Sequence, residues 1–242
     1  MRIFLSVLCL IFPFMGFSQP AVISGVYPYG KEIAGTATDM KDFRLDVQVI
    51  PKALKEKKIK VSDTQEQLII VRSGNLGINL NDSAYSLGKG SVVLIMPGDV
   101  YTIKNNSAVP VEYYLMQYTS KTAVDAGRGR SSGGSIVRDW DKIPYKPHDR
   151  GGRRDFFDRP TAMCKRFEMH VTTLNGSLKS HEPHTHRAEE IVLILEGNTE
   201  MQIEDKFYKA VAGDVIFLAS NSLHAIRNEG TTPCTYFAFQ WE

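Results

Sequence analysis

Residues 176–228 begin with GSLKSHEPHTHRAEEIVLILEG and end with GDVIFLASNSLHAIRN. His184 and His186 are two residues apart, so on a β-strand both imidazoles point to the same face. Glu190 shares that face if the strand continues, and His224 follows in the second segment. Three neutral imidazoles and a carboxylate form the mixed nitrogen and oxygen set that suits a first-row divalent metal. The stretch contains no cysteine, which argues against a closed structural zinc site of the thiolate type.

The spacing of these residues resembles the first motif of the cupin superfamily. That motif ends with His-x-His, three or four residues, Glu, six residues and Gly. His184, His186, Glu190 and Gly197 keep every one of these spacings. We favour a functional motif of this kind over the alternative that four polar residues are simply solvated on a strand edge.

The second cupin motif is Gly, five residues, Pro-x-Gly, two residues, His, three residues and Asn. Gly213, His224 and Asn228 match it, while Ala219 and Asn221 replace the usual proline and glycine. This departure concerns the turn before His224 and leaves the ligand itself in place. The metal ligands that the resemblance implies are His184, His186, Glu190 and His224. The implied cofactor is one divalent transition metal, with manganese in first place and iron, nickel and zinc as alternatives.

The chain opens with MRIFLSVLCLIFPFMGFSQP, in which one basic residue precedes an apolar run and a small-x-small end. This is the plan of a secretory signal peptide, and we predict cleavage after Ser18. The run is short for a membrane span and is followed by polar sequence, so an uncleaved anchor is the lesser alternative. We therefore expect an exported, periplasmic protein with no membrane span in the mature chain.

The net charge bears on the classes of partner, and the cysteines bear on whether a disulfide forms. The net charge of +2 falls to +1 when Arg2 leaves with the signal peptide, which gives no electrostatic case for nucleic acid or an anionic membrane. Two cysteines remain, Cys164 and Cys234. An oxidising compartment permits a disulfide between them, but a pair of buried free thiols is the favoured interpretation.

Landmarks of the second half recur 123 residues earlier without a gap. Gly197 corresponds to Gly74 and Gly213 to Gly90, and short apolar strands flank turns in both halves. The pattern predicts an all-β chain of two tandem jelly-roll barrels, a bicupin. The predicted segments are a signal peptide over 1–18, a degenerate N-terminal barrel over 19–120, a Gly/Arg-rich connection over 121–160 and a metal-binding barrel over 161–242.

The same offset shows that the first barrel lacks the metal ligands. Val61, Asp63, Gln67 and Tyr101 stand where the second barrel has its three histidines and its glutamate. We expect this barrel to pack against the second one and to shape its mouth. A polar ligand held by Asp63, Gln67 and Tyr101 is a weaker alternative.

The connection between the barrels has no hydrophobic periodicity, so we predict a loop. It contains four arginines that offer bidentate contacts to a carboxylate, Arg150, Arg153, Arg154 and Arg159. A solvated or ion-paired loop is nevertheless favoured over such a clamp. His148 is interpreted as an ordinary loop histidine.

The strand before the first motif alternates apolar residues with Arg166, Glu168 and His170. If its polar face lines the cavity, Arg166 is a partner for a substrate carboxylate, and Glu168 and His170 are an acid and a base. If it faces water, these residues have no role in catalysis, and the two alternatives are about evenly balanced. On the last strand, Tyr236 and Gln240 share a face and are predicted to contact the substrate.

These observations favour an exported, metal-dependent enzyme that acts non-oxidatively on a small carboxylated substrate such as a sugar acid. The layout resembles the bicupin (S)-ureidoglycine aminohydrolases, including the stretch around Asp205, Tyr208 and Gly213. The second half is similar to small cupins that open or isomerise unsaturated uronates. An iron-dependent cupin dioxygenase and a non-catalytic metal- or sugar-binding cupin are the remaining alternatives. A homodimer is left open.

Overall fold

A computed structural model describes residues 20–242, and the predicted signal peptide at 1–18 lies outside them. The strands are β1 (Gly25–Tyr27), β2 (Ile33–Gly35), β3 (Met40–Ile50), β4 (Lys57–Lys60), β5 (Glu66–Ser73), β6 (Leu76–Leu80), β7 (Ser83–Leu87), β8 (Val92–Ile95), β9 (Val100–Lys104), β10 (Val111–Ser120), β11 (Ile136–Arg138), β12 (Lys146–His148), β13 (Gly151–Arg159), β14 (Phe167–Leu174), β15 (Glu189–Glu196), β16 (Asn198–Ile203), β17 (Lys206–Val211), β18 (Val215–Leu218), β19 (His224–Asn228) and β20 (Cys234–Trp241). The helical elements are α1 (Ala126–Ser131) and a 3₁₀ turn (Trp140–Lys142). None of the helices in the described part of the chain is long and apolar enough to cross a membrane.

The strands form two jelly-roll barrels, each built from two antiparallel sheets. The first barrel combines the sheets β11-β8-β5-β10-β3-β2 and β4-β9-β6-β7. The second combines β1-β18-β15-β20-β14-β13-β12 and β17-β16-β19. The predicted all-β fold with two tandem barrels is therefore confirmed.

The repeat of 123 residues is visible in the strands themselves. β5 and β15 occupy equivalent positions, and so do β8 and β18, and β10 and β20. Gly90 and Gly213 both have positive φ, 83° and 100°, at the turn before β8 and β18. A glycine is favoured at this turn in each barrel because it enters the left-handed region without steric cost.

The largest apolar cluster joins residues of both barrels. Phe43 of the first half stacks on Trp241 of the second at 5.8 Å between ring centroids and lies 6.0 Å from Phe217. We call this shared cluster the junction. β5 and β18 are buried along nearly their whole length, because one face of each strand lines its own barrel and the other packs in the junction. Continuous apolar runs are the sequence signature of strands covered on both faces.

The barrels exchange their first strands. β1 pairs with β18 of the second barrel through Val26 and Ile216, and β11 pairs with β8 of the first barrel through Val137 and Val93. The predicted boundaries at 19–120 and 161–242 do not anticipate this exchange, because it depends on pairing between segments far apart in sequence.

The connection over 121–160 is not the predicted loop. It contains α1, β11, β12 and the nine-residue strand β13, which pairs with β14 and extends the second barrel. Phe156 and Phe157 of β13 are buried in the junction. The strand was not predicted because its arginines are typical of an exposed loop. In the structure Arg154 donates to the backbone carbonyl oxygen of Ile143, and Arg159 donates to those of Ser132 and Gly134.

The two cysteines among the described residues are free and buried, as favoured from the sequence. Cys164 lies in the junction and Cys234 in the core of the second barrel. Burial raises the pKa of both thiols, that of Cys234 to about 11, so they remain protonated at neutral pH.

Candidate metal centre

Three imidazoles converge at one end of the second barrel. His184 and His186 lie in the loop before β15, and His224 begins β19. Two backbone hydrogen bonds, of 3.1 and 3.0 Å, join His184 to His224 and fix the loop against the strand. The potential ligand atoms of the three histidines all lie within 4.8 Å of one another. The fold therefore brings together imidazoles from two segments that are separate in the sequence.

Glu190, the fourth residue of the predicted set, contacts two of these imidazoles. Its Oε2 lies 3.2 Å from Nε2 of His186 and 3.3 Å from Nε2 of His224. Burial raises the pKa of Glu190, but the two imidazoles outweigh this effect and lower the pKa to about 2. Burial and the neighbouring imidazoles lower the pKa of His184, which favours its neutral, metal-binding form.

Backbone carbonyls orient two of the rings. Nδ1 of His186 lies 2.8 Å from the carbonyl oxygen of Ala188, and Nδ1 of His224 lies 2.9 Å from that of Ser222. A carbonyl oxygen only accepts, so each Nδ1 carries a proton, and Nε2 is the ring nitrogen that faces Glu190 and the other candidate ligands. The donor set, with its fixed tautomers and ionised carboxylate, thus fits a first-row divalent metal.

The turn before His224 accommodates the departure from the motif. Asn221 has φ of 62°, in the left-handed region, where the equivalent Gly98 of the first barrel has 79°. Asparagine tolerates this conformation better than most residues with a Cβ. Its backbone N–H donates to the carbonyl oxygen of His186 at 2.8 Å, which ties the turn to the other ligand loop.

A cavity of about 340 Å³ opens beside the imidazoles within the second barrel. It is lined by His148, Arg150, Arg153, His170, Thr172, Leu174, Ser180, His181, His184, His186, Glu190, Val192, Met201, His224, Ile226, Tyr236, Ala238 and Gln240. The polar face of β14 therefore faces the cavity, which was one of two alternatives left by the sequence.

Glu168 and His170 form a hydrogen-bonded pair beside the cavity. Nδ1 of His170 lies 2.7 Å from Oε1 of Glu168, and His170 lines the cavity. Glu168 is 5% exposed and also accepts from Arg153 at 2.9 Å and from Gln240 at 3.4 Å. These contacts hold the carboxylate behind the imidazole, so Glu168 orients His170.

Arg166 does not reach the site, which corrects the expectation that it binds substrate. Its guanidinium makes two 2.8 Å hydrogen bonds to Asp158 on the outer surface. The backbone hydrogen bonds between Arg166 and Glu242 continue the pairing of Phe167 with Trp241, so the alternation holds, but Arg166 lies beyond Glu168 and farther than Glu168 from His170. Arg153 supplies the arginine next to Glu168.

Tyr236 and Gln240 both line the cavity, as the alternation of β20 predicts. Burial raises the pKa of Tyr236, so its hydroxyl stays protonated. His181 also lines the cavity, and its ring lies 4.3 Å from that of His184.

Sequence reasoning missed His148 and set aside Arg150 and Arg153 as part of a solvated loop. All three line the cavity because β12 and β13 form a hairpin at the edge of the large sheet. The aromatic residues of this segment, Trp140, Tyr145, Phe156 and Phe157, are the sequence signal that could have shown that it packs across a barrel.

The equivalent region of the first barrel is filled by side chains. Val61 is fully buried, and the hydroxyl of Tyr101 donates to Gln67 at 3.0 Å within the core. Asp63 is exposed and lies 3.5 Å from Lys60. Where the second barrel has its candidate metal ligands, the first barrel has a buried valine and an internal hydrogen bond between Tyr101 and Gln67.

Residues 170–239 match the family model described as the cupin domain. The sequence similarity of the second barrel to this family extends over these residues. The match contains Glu190 and all three converging histidines. No curated protein matches the chain.

Solved structures share the fold over nearly the whole chain at low identity. Protein Ylba from E. coli has a TM-score of 0.65 and 18% identity, over 94% of this chain and 88% of that one. An oxalate decarboxylase from Lactobacillus farciminis has a TM-score of 0.65 and 11% identity, over 93% and 85%. A salicylate 1,2-dioxygenase from Pseudaminobacter salicylatoxidans has a TM-score of 0.64 and 10% identity, over 97% and 88%. Such a likeness establishes the cupin fold and leaves the chemistry to the site.

Proposed function

We propose that this cupin is a metal-dependent enzyme that carries out a non-oxidative reaction on a small carboxylated substrate such as a sugar acid. One observation carries the proposal: His170, oriented by the buried Glu168, opens into the same cavity as the imidazoles of His184, His186 and His224. A binding protein has no need of an oriented acid–base pair next to its metal ligands.

The two groups of residues have separate roles. His184, His186, Glu190 and His224 would hold the metal. A bound divalent ion supplies a Lewis acid that polarises a carbonyl or hydroxyl oxygen of the substrate.

His170 moves the proton. With its Nδ1–H donated to Glu168, Nε2 of His170 has the free lone pair and accepts a proton from a carbon or oxygen of the substrate. The carboxylate of Glu168 stabilises the imidazolium that forms, and His170 then returns the proton to a different substrate atom. Isomerisation, ring opening and hydrolysis all share this exchange.

The charge and size of the cavity support a small anionic substrate. Glu190 is the one carboxylate among the lining residues that the structure describes, whereas Arg150 and Arg153 are both cationic. The carboxylate of Glu190 is already in contact with the imidazoles of His186 and His224 and would be a ligand of the metal. A volume of about 340 Å³ accepts a molecule of the size of a monosaccharide acid.

Metal analysis and anaerobic turnover test the proposal together. We expect a near-stoichiometric divalent metal, turnover of unsaturated uronates or of ureides without oxygen, and loss of turnover in H170Q with the metal retained. H186A should lose the metal. Y101F, at the position equivalent to His224 in the first barrel, is the matched control and should keep both metal and turnover.

Two results would replace the proposal. Stoichiometric iron with oxygen uptake would identify an oxygen-dependent enzyme, the class to which the name of the salicylate 1,2-dioxygenase refers. A bound metal without turnover, and no effect of H170Q on ligand binding, would leave a binding protein.

We also propose that the enzyme acts outside the cytoplasm, on the basis of the leader at residues 1–18. N-terminal sequencing of the protein from a periplasmic fraction should begin at Gln19. Recovery of the uncut chain in the cytoplasm would contradict export.

A further inference from the structure

The hairpin of β12 and β13 borders the mouth of the cavity. Arg150 lies in its turn, between His148 at the end of β12 and Gly151 at the start of β13. The backbone N–H of Asn175 donates to the carbonyl oxygen of Arg150 at 2.8 Å. The guanidinium Nη1 donates to the carbonyl oxygen of Ser180 at 2.7 Å. The turn is thereby fastened to the loop that leads to His184.

Arg150 differs from Arg153 in how its charge is compensated. Arg153 is paired with Asp155 and with Glu168. Within residues 20–242, no carboxylate lies within ion-pair distance of Arg150, whose guanidinium contacts are backbone carbonyls. A cation that lines a cavity with only neutral partners retains its charge for a ligand.

His148 adds a second donor beside it. The backbone N–H of Arg150 donates to Nδ1 of His148 at 3.2 Å, so Nδ1 has the lone pair and Nε2 carries the proton. Asp149 lies 3.8 Å from Nδ1, which is too far for a hydrogen bond. Both His148 and Arg150 line the cavity.

We propose that Arg150 and His148 form the substrate-specificity site that binds a carboxylate at the mouth of the cavity. The guanidinium binds the carboxylate through its remaining N–H groups, and Nε2–H of His148 donates to the same anion. Because the turn is fastened at Asn175 and Ser180, little ordering is needed when the ligand binds.

This site deepens the proposed function, on which it rests, by orienting the substrate. Arg150 is exposed at the mouth, whereas His224 is 4% exposed at the floor. Gly151, next to Arg150, pairs with Leu174, which lies four residues along β14 from His170, so the carboxylate that Arg150 binds is held away from the atom that His170 deprotonates. The enzyme should prefer acids in which the carboxylate and the reacting carbon lie at opposite ends, as in a uronate.

Calorimetric titration with D-galacturonate and with its neutral methyl ester tests the site. The titrations use H170Q as the background, so that neither ligand is consumed. We expect the acid to bind more tightly than the ester. Adding R150Q should weaken the acid about 10- to 100-fold, the loss of one charged hydrogen-bonding group, and leave the ester unchanged. R150K should restore part of the difference, and R130Q, on the exposed face of α1, should change neither affinity.

The outcomes separate this inference from the proposed function. Failure of the background protein to distinguish acid from ester, or equal weakening of both ligands by R150Q, would overturn the site. If the acid preference depends on Arg150 but wild-type protein turns over no substrate, the site stands and the enzymatic proposal fails. If turnover occurs and R150Q leaves KM unchanged, the inference fails alone.

Discussion

Glu66 and Glu189 occupy equivalent positions at the start of β5 and β15, and each accepts a hydrogen bond from the backbone of the other half of the chain. Oε1 of Glu66 accepts from the N–H of Ala162 at 2.8 Å, and Oε1 of Glu189 accepts from the N–H of Thr38 at 2.7 Å. The two carboxylates thus join the barrels through a matching pair of contacts. Both are buried, so these contacts are shielded from water.

The two carboxylates are unequally satisfied, which predicts unequal stabilities of their variants. Glu66 also accepts from Tyr118 at 2.7 Å and from Thr161 at 2.8 Å, whereas Oε2 of Glu189 has no partner among residues 20–242. E66A leaves three buried donors unpaired and should lower the free energy of unfolding by about 2–4 kcal/mol. E189A should cost less. Urea denaturation measures both, and a larger loss in E189A would contradict this account.

The pH dependence of stability should reflect Glu66. Burial raises its pKa above 4.5, although Tyr118 and Thr161 act in the opposite direction. A raised folded-state pKa means that the native state holds the proton more tightly. The stability gained is fully present below about pH 4.5 and is lost as the pH rises through the folded-state pKa.

Denaturation of wild type and E66Q at several pH values tests this sign. The free energy of unfolding of wild type, relative to E66Q, should decrease between pH 4.5 and neutrality. A difference that is constant or increases over this interval would show that Glu66 is not the titrating group.

Removal of the metal should lower the thermal stability of the second barrel. A ligand that binds only the native state stabilises it by about 2.7 kcal/mol at a hundredfold excess over Kd. EDTA should therefore lower the Tm of wild type. It should have no effect on the Tm of E190A, because this variant lacks the carboxylate that contacts His186 and His224 and should not hold the metal. Y101F serves as the control and should respond like wild type. Equal responses of wild type and E190A would argue against the four-residue site.

Loss of the Glu168 carboxylate should reduce the rate of chemistry more than the binding of substrate. E168Q keeps the shape of the side chain and removes the charge that faces His170 and Arg153. We expect kcat to fall about 10- to 1,000-fold with little change in KM. E168D should recover part of kcat. Parallel changes in KM and kcat, with no recovery in E168D, would indicate a purely structural role.

Arg166 supplies the converse test. Its ion pair with Asp158 is on the outer surface, where such pairs contribute about 0–1 kcal/mol. R166Q should therefore leave kcat, KM and metal content unchanged and alter stability only slightly. A marked rise in KM would restore the substrate-binding role that the sequence suggested.

The parts of the site that the sequence predicted are those encoded by local spacing. The period of two along β20 predicted Gln240 near the substrate, and it lines the cavity; along β14 the sequence left the cavity and water as equal alternatives for His170, which lines the cavity. His184 and His186 lie in a loop and not on the strand that their spacing suggested. The same period does not show how far along a strand the cavity extends, and Arg166 lies beyond Glu168, outside the cavity.

Contacts between segments that are distant in the chain could not be predicted from sequence patterns. The hairpin at the mouth was obscured because arginines and glycines are typical of loops, and only tertiary hydrogen bonds show how Arg154 and Arg159 are accommodated. The exchange of β1 and β11 leaves no periodicity to detect, since three-residue strands are too short to show one.

That exchange fixes the order in which the molecule is completed during its synthesis. β1 is the first described strand to leave the ribosome, yet its partner β18 is among the last. The first barrel likewise waits for β11, which is made after all of its other strands. The first barrel is therefore incomplete until residue 138 is made, and the second is incomplete in any chain that lacks β1. A chain that ends before β11 exposes the open edge of β8, and one that begins after β1 exposes that of β18, to wrong partners.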